Sequence, residues 1–163
     1  MNKTHYDAVR SWVTKSKLRY NTFVIIYKWL PLCIFTLYII VTIYLAITRN
    51  RKIIPFLLVP GFMFVTLTLA RKMINRPRPY EVYGNVPIVE KDKKGQSFPS
   101  RHSASAVAVA CAVMYINMPL GMAAMAAAIF ICASRVIGGV HFVSDVVVGI
   151  CYALVFSCVF LFF

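Results

Sequence analysis

A chain of 163 residues, 60% hydrophobic and only 14% charged, is too apolar for a water-soluble domain of its length and reads as an integral membrane protein. A soluble all-helical domain is disfavoured for the same reason, because the apolar runs leave no polar face for water. The net charge of +13 does not make a nucleic-acid binder: the basic residues are spread over an N-terminal segment, the Arg49-Arg51-Lys52 loop and one polar connection, not gathered on one soluble face with stacking aromatics. Anionic lipid, as surroundings or as substrate, accounts for the excess better.

The first 20 residues are polar and carry no cleavable apolar core, so no secretory signal peptide is expected. The segment Asn2 to Tyr20 bears Lys3, Arg10, Lys15, Lys17 and Arg19 beside Trp12, Val13 and Leu18. It is expected to lie in the membrane interface as an amphipathic helix with a weak apolar face. A span needs about 20 mostly apolar residues. Thr22 to Ile47 supplies one such span, Ile53 to Ala70 a second, Ser103 to Met118 a third, Leu120 to Ile137 a fourth and Val146 to Phe163 a fifth. The expected fold is therefore all-α: one membrane-embedded domain over residues 1–163, with a basic segment 1–20 and a helical bundle 21–163. Its one long polar connection, 75–100, joins the second and third spans.

The third and fourth spans are rich in Ala, Gly and Ser, which lets helices approach closely in lipid. Gly138-Gly139 is expected to turn the chain between the fourth and fifth. The five cysteines lie in apolar runs without metal-ligand spacing and read as packing residues, with no disulfide and no zinc site.

Asp145 is the one acidic residue inside an apolar stretch. A carboxylate at membrane depth costs roughly 2.5–3.5 kcal/mol on insertion scales, so its presence is a functional-site hypothesis. His141, four residues earlier, is the expected partner on the same helical face. A carboxylate holding one imidazole nitrogen leaves the other free as base or nucleophile. Because consecutive spans alternate direction, Arg71, Arg78, Ser100, His102, Arg135, His141 and Asp145 all fall at one membrane face. Guanidiniums, a hydroxyl and two imidazoles at one depth describe a phosphate site. The first amides of the third helix are candidate extra donors. In this arrangement His141, oriented by Asp145, attacks phosphorus. His102 protonates the leaving oxygen and then activates water. Arg71, Arg78, Arg135 and Ser100 hold phosphate oxygens. No carboxylate cluster is available for magnesium or zinc, so neither metal nor another cofactor is expected.

These residues resemble the type 2 phosphatidic acid phosphatase family, which shares its site with vanadium haloperoxidases and bacterial acid phosphatases. The family pattern is Lys, six residues, Arg-Pro; then Pro-Ser-Gly-His; then Ser-Arg, five residues, His, three residues, Asp. Ser134 to Asp145 matches the third part throughout, which makes Ser134 a further candidate. In the second, Arg101 stands where the family has Gly, and is a candidate substrate contact. In the first, Arg78-Pro79 matches, the Lys position falls on Arg71, and Lys72 is one place off register.

The resemblance implies a bundle often of six spans in the cell membrane, with the site on the extracytoplasmic face. Counting positive charges points the other way, because with five spans the basic N-terminus shares the face of the site. The implied activity is hydrolysis of a lipid phosphate. Undecaprenyl pyrophosphate, phosphatidylglycerophosphate and phosphatidic acid remain open as substrates. A lipid phosphotransferase, or a binding or transport protein that keeps the pocket, are the alternatives. The cluster Lys91, Asp92, Lys93 and Lys94 is expected to be a solvated part of the connection.

Overall fold

The computed structural model describes residues 3–91 and 93–162. Asp92 and the terminal positions Asn2 and Phe163, used above, lie outside the described residues. Among these the chain is all-helical. Helix α1 (Lys3–Thr14) is followed by α2 (Lys17–Val24), a π-helical turn (Ile25–Trp29) and α3 (Leu30–Ile47). These last three form one continuous rod, Lys17–Ile47. At 1.5 Å per residue it is roughly 46 Å long, well over the ~30 Å of a bilayer core. Helix α4 (Ile53–Ile74) runs back, and the short α5 (Pro79–Tyr83) opens the polar connection. Then come α6 (Arg101–Ile116), α7 (Met118–Ile137) and α8 (Val143–Ser157), the last extended by a 3-10 turn to Phe162.

Four of these rods are long and apolar enough to cross a membrane; the expected third span, α6, is a shorter apolar helix of 16 residues. Its position explains its length and composition. It packs against α3, α4, α7 and α8, so most of its surface meets protein. Ala104, Ala106, Ala108, Ala110 and Ala112 are buried. With so little side chain to fill the gap, the helices close to backbone distance: a Cβ added to Gly121 of α7 would stand 2.2 Å from Met114 Cα of α6. Helix α8 makes the same approach at the site end, where a Cβ on Gly149 would stand 2.8 Å from the Ser100 carbonyl oxygen. The small-residue packing expected from the sequence is thus what sets the spacing of the three helices that carry the site. Among the cysteines, all free, Cys132 is buried and Cys111 half-buried.

Helix α1 lies at the site end and buries Tyr6 and Val13 against the protein. The Tyr6 ring sits 6.0 Å from that of Tyr83, and Val13 joins Phe23, Tyr27, Ile88 and Val140 in a small apolar cluster. Its apolar face is therefore used for folding. Trp12 stays exposed, with the Arg19 guanidinium 4.4 Å above its ring.

Candidate active site

Asp145 anchors the site. It occupies the first turn of α8, where its carboxylate accepts from the Phe142 N–H (2.9 Å) at the otherwise unsatisfied helix start. It is fully buried, and both oxygens are used. Oδ1 pairs with Arg76 Nη1 at 2.8 Å. Oδ2 accepts from the Ser97 hydroxyl and lies 3.5 Å from His141 Nδ1. The His–Asp partnership expected from the i, i+4 spacing is present, although His141 lies before α8, in the turn after α7. That turn contains Gly139 at φ +71°. With Nδ1 facing the carboxylate, Nε2 is the nitrogen left for other work.

Burial holds the His141 imidazole below the ordinary histidine range; the Asp145 hydrogen bond opposes this, while Arg78 and Arg71 push the same way as burial. The ring is therefore neutral near pH 7, the form in which a ring nitrogen has a lone pair to offer.

His141 and His102 line one small chamber of about 70 Å³. Six cations line it too: Arg71, Arg78, Arg135 and Arg101, all singled out in the sequence, together with Lys91 and Lys93. Lys91, half-buried, departs from the expectation of a solvated loop, whereas Lys93 lines the chamber while remaining exposed. Lys91 is held below the ordinary lysine range, first by burial and then by Arg135, Arg78, Lys93 and Arg101. Among the described residues no carboxylate lines the chamber, so it is a built anion site.

Arg71, Arg78 and Arg135 are each held by backbone carbonyls. Arg71 donates to Pro99, Gln96 and Ser97 carbonyls, tying the connection to the end of α4. Arg78 Nε donates to the Gly95 carbonyl at 3.0 Å. Arg135 Nη2 donates to the Tyr27 carbonyl at 2.8 Å, inside the π-helical turn, and its guanidinium stacks 4.1 Å from the Tyr27 ring. A π turn at such a place is a familiar functional device. Arg135 Nε is buried and has no hydrogen-bond partner, an unsatisfied donor that an anion in the chamber would satisfy.

Besides Asp145, which stands behind His141, three sequence candidates lie apart from the chamber wall. Ser100 is fully buried, its hydroxyl 2.9 Å from that of Ser103 and its N–H donating to the Asp145 carbonyl at 2.8 Å. Of the first amides around the start of α6, this one is already used. Ser134 donates back to the Ile131 carbonyl, a local helix contact. Lys72 is exposed on the outer face of α4 while Arg71 is buried, so the helix itself selects the register. We expect Arg71→Ala to lower kcat/KM by about a hundredfold and Lys72→Ala by less than about threefold, measured as phosphate release.

Sequence reading missed Ser97, Arg76 and Tyr27. Arg76 sits in the Arg76-Pro77-Arg78-Pro79 run, where its charge was the available signal. Ser97 and Tyr27 have no signal in a single sequence, because each acts through a contact made across more than forty residues.

Beside the chamber lies an apolar cavity of about 300 Å³ between α3, α4 and α6, and Arg101 and His102 line both. Ile34, Phe35, Phe64 and Val109 line the apolar part. Phe35 and Phe64 are also exposed on the outer surface of the bundle, so the cavity is reached from the side.

The model of the PAP2 superfamily matches residues 52–163. No curated protein sequence matches the chain. Several solved structures share its fold, among them these two crystal structures. The crystal structure of Aquifex aeolicus LpxE is similar with a TM-score of 0.65 and 22% identity, over 88% of this chain and 94% of that one. The PAP2-type transmembrane phosphatidylglycerolphosphate phosphatase from Bacillus subtilis is similar with a TM-score of 0.74 and 21% identity, over 97% of this chain and 83% of that one.

Proposed function

The chain belongs to the PAP2 superfamily, and from that premise we propose that it is a membrane lipid phosphate phosphatase working through a phosphohistidine. The observation that carries this reading is a six-cation chamber holding two imidazoles, set against an apolar cavity with which it shares Arg101 and His102 as lining. A phosphate fits the first part and an acyl or isoprenoid chain the second.

His141 Nε2 attacks phosphorus, forming the N–P bond as the P–O bond to the lipid breaks. His102 delivers the proton that a departing alkoxide needs. Water then attacks the phosphohistidine, His102 takes its proton, the N–P bond breaks and orthophosphate leaves. Arg71, Arg78 and Arg135 hold the equatorial oxygens, where charge develops in the transition state. Ser97 and Arg76 keep Asp145 in place behind His141. Six like charges around the chamber repel a divalent cation, which favours metal-independent hydrolysis. The extracytoplasmic face is the reading carried over from the family.

The test is phosphate release by the purified protein in detergent with chelator present. Undecaprenyl pyrophosphate, phosphatidylglycerophosphate and phosphatidic acid are offered side by side. We expect release from at least one of them, unchanged by chelator and accompanied by an acid-labile phosphoenzyme. Phosphate passed to an alcohol acceptor with little hydrolysis would instead identify a phosphotransferase. Binding without turnover would leave a lipid-phosphate binding protein.

A further inference from the structure

Among the described residues Arg101 is the one Lys or Arg that lines both the phosphate chamber and the apolar cavity. It stands at the start of α6, immediately before His102, in the place where the Pro-Ser-Gly-His pattern has Gly. Its guanidinium lies 5.5 Å from the Phe64 ring, which forms part of the apolar wall. Any substrate with its terminal phosphate among Arg71, Arg78 and Arg135 and its tail along Phe64 must pass its leaving group beside Arg101. What occupies that junction differs between substrates. In a phosphomonoester it is a neutral ester oxygen and its carbons, for which a guanidinium offers little. In a lipid diphosphate it is the second phosphate, whose oxygens match the guanidinium fork.

Resting on the phosphatase reading above, we infer that Arg101 forms a second-phosphate subsite and makes a lipid diphosphate the preferred substrate. The number of cations agrees: three arginines suffice for one phosphoryl group, and Arg101, Lys91 and Lys93 add charge to the same chamber.

The chemistry agrees as well. When His141 attacks the terminal phosphorus, the bond from that phosphorus to the bridging oxygen breaks. The electron pair stays on the bridging oxygen, which departs as part of a lipid monophosphate. Such a group leaves as an anion, so a fixed cation beside it stabilises the transition state. Water then cleaves the N–P bond, with His102 accepting its proton, and orthophosphate is the second product.

The experiment compares wild type, Arg101→Gly and Arg101→Lys in detergent, on farnesyl diphosphate, phosphatidylglycerophosphate and dioleoyl phosphatidic acid. Phosphatidylglycerophosphate carries its second phosphate a glycerol unit away, so it separates a diphosphate subsite from a general attraction for anions. We expect wild type to prefer farnesyl diphosphate. In Arg101→Gly, kcat/KM for the diphosphate falls at least about tenfold further than for either other lipid, with Arg101→Lys recovering part of the loss. Farnesyl monophosphate also inhibits the Gly variant less than wild type. Equal losses on all three lipids, or the steepest loss on a glycerol lipid, would overturn the subsite. Wild-type hydrolysis of the monoesters but not the diphosphate would overturn it while leaving the phosphatase reading intact. Hydrolysis of none would overturn both.

Discussion

His141→Ala is expected to lower phosphate release by at least about a thousandfold, with the protein still folded and still able to bind substrate. In the proposed mechanism the imidazole is the group that forms the covalent bond. Its Nδ1 is committed to the Asp145 side, 3.5 Å from Oδ2, and among the described residues no cysteine lines the chamber to replace it. Losing a nucleophile of this kind removes the covalent route outright, leaving only the contribution of the cationic cradle. Binding survives because Arg71, Arg78 and Arg135 are held by backbone carbonyls, none of which involves His141. The comparison is single-turnover phosphate release against substrate binding for the two proteins. Wild-type rates from the variant would remove the phosphohistidine from the mechanism.

The same residue sets the acid limb of the pH profile. Burial lowers its pKa from the ordinary value of about 6.5, so the neutral, reactive form persists below that pH. Activity governed by His141 is therefore lost only as pH falls below the ordinary histidine value.

Asp145→Asn is expected to reduce kcat about a thousandfold or more while changing KM little. The amide keeps the shape but can present its N–H to His141 Nδ1, favouring the wrong tautomer for attack through Nε2. The shift in pH dependence has a definite sign. Asp145 raises the His141 pKa against burial, so its removal moves the acid limb to still lower pH.

Asp145→Ala is expected to lose stability too, on the order of 2 kcal/mol, because the Phe142 N–H and the Ser97 hydroxyl lose their acceptor inside the protein. The Arg76 share of that figure is small: its side chain is 36% exposed and water replaces the carboxylate. Thermal unfolding in detergent separates the two variants. An Asn variant with normal kcat would show that Asp145 serves only to start α8.

The chain by itself determined the class of fold and most of the site. Residue type and spacing suffice for both: long apolar runs have nowhere to go but lipid, and a lone carboxylate four residues from a histidine has one obvious partner. Alternating span direction was enough to bring Arg71, His102 and Arg135 to one end of the bundle. The tertiary structure decided what that reasoning cannot reach. It buried Arg71 and turned Lys72 outward, because a residue's face on a helix depends on where the neighbouring helices stand. It enclosed α6 within the bundle, since its alanines and the backbone at Gly121 and Gly149 permit contact that larger side chains would prevent. It folded the polar connection back so that Ser97 supports Asp145 and Lys91 and Lys93 enter the chamber. Most of that connection is neither helix nor strand, so no periodicity announces which side chains point inward. Their direction is set by hydrogen bonds to Arg71, Arg78 and Glu81, contacts that exist only once the helices have assembled.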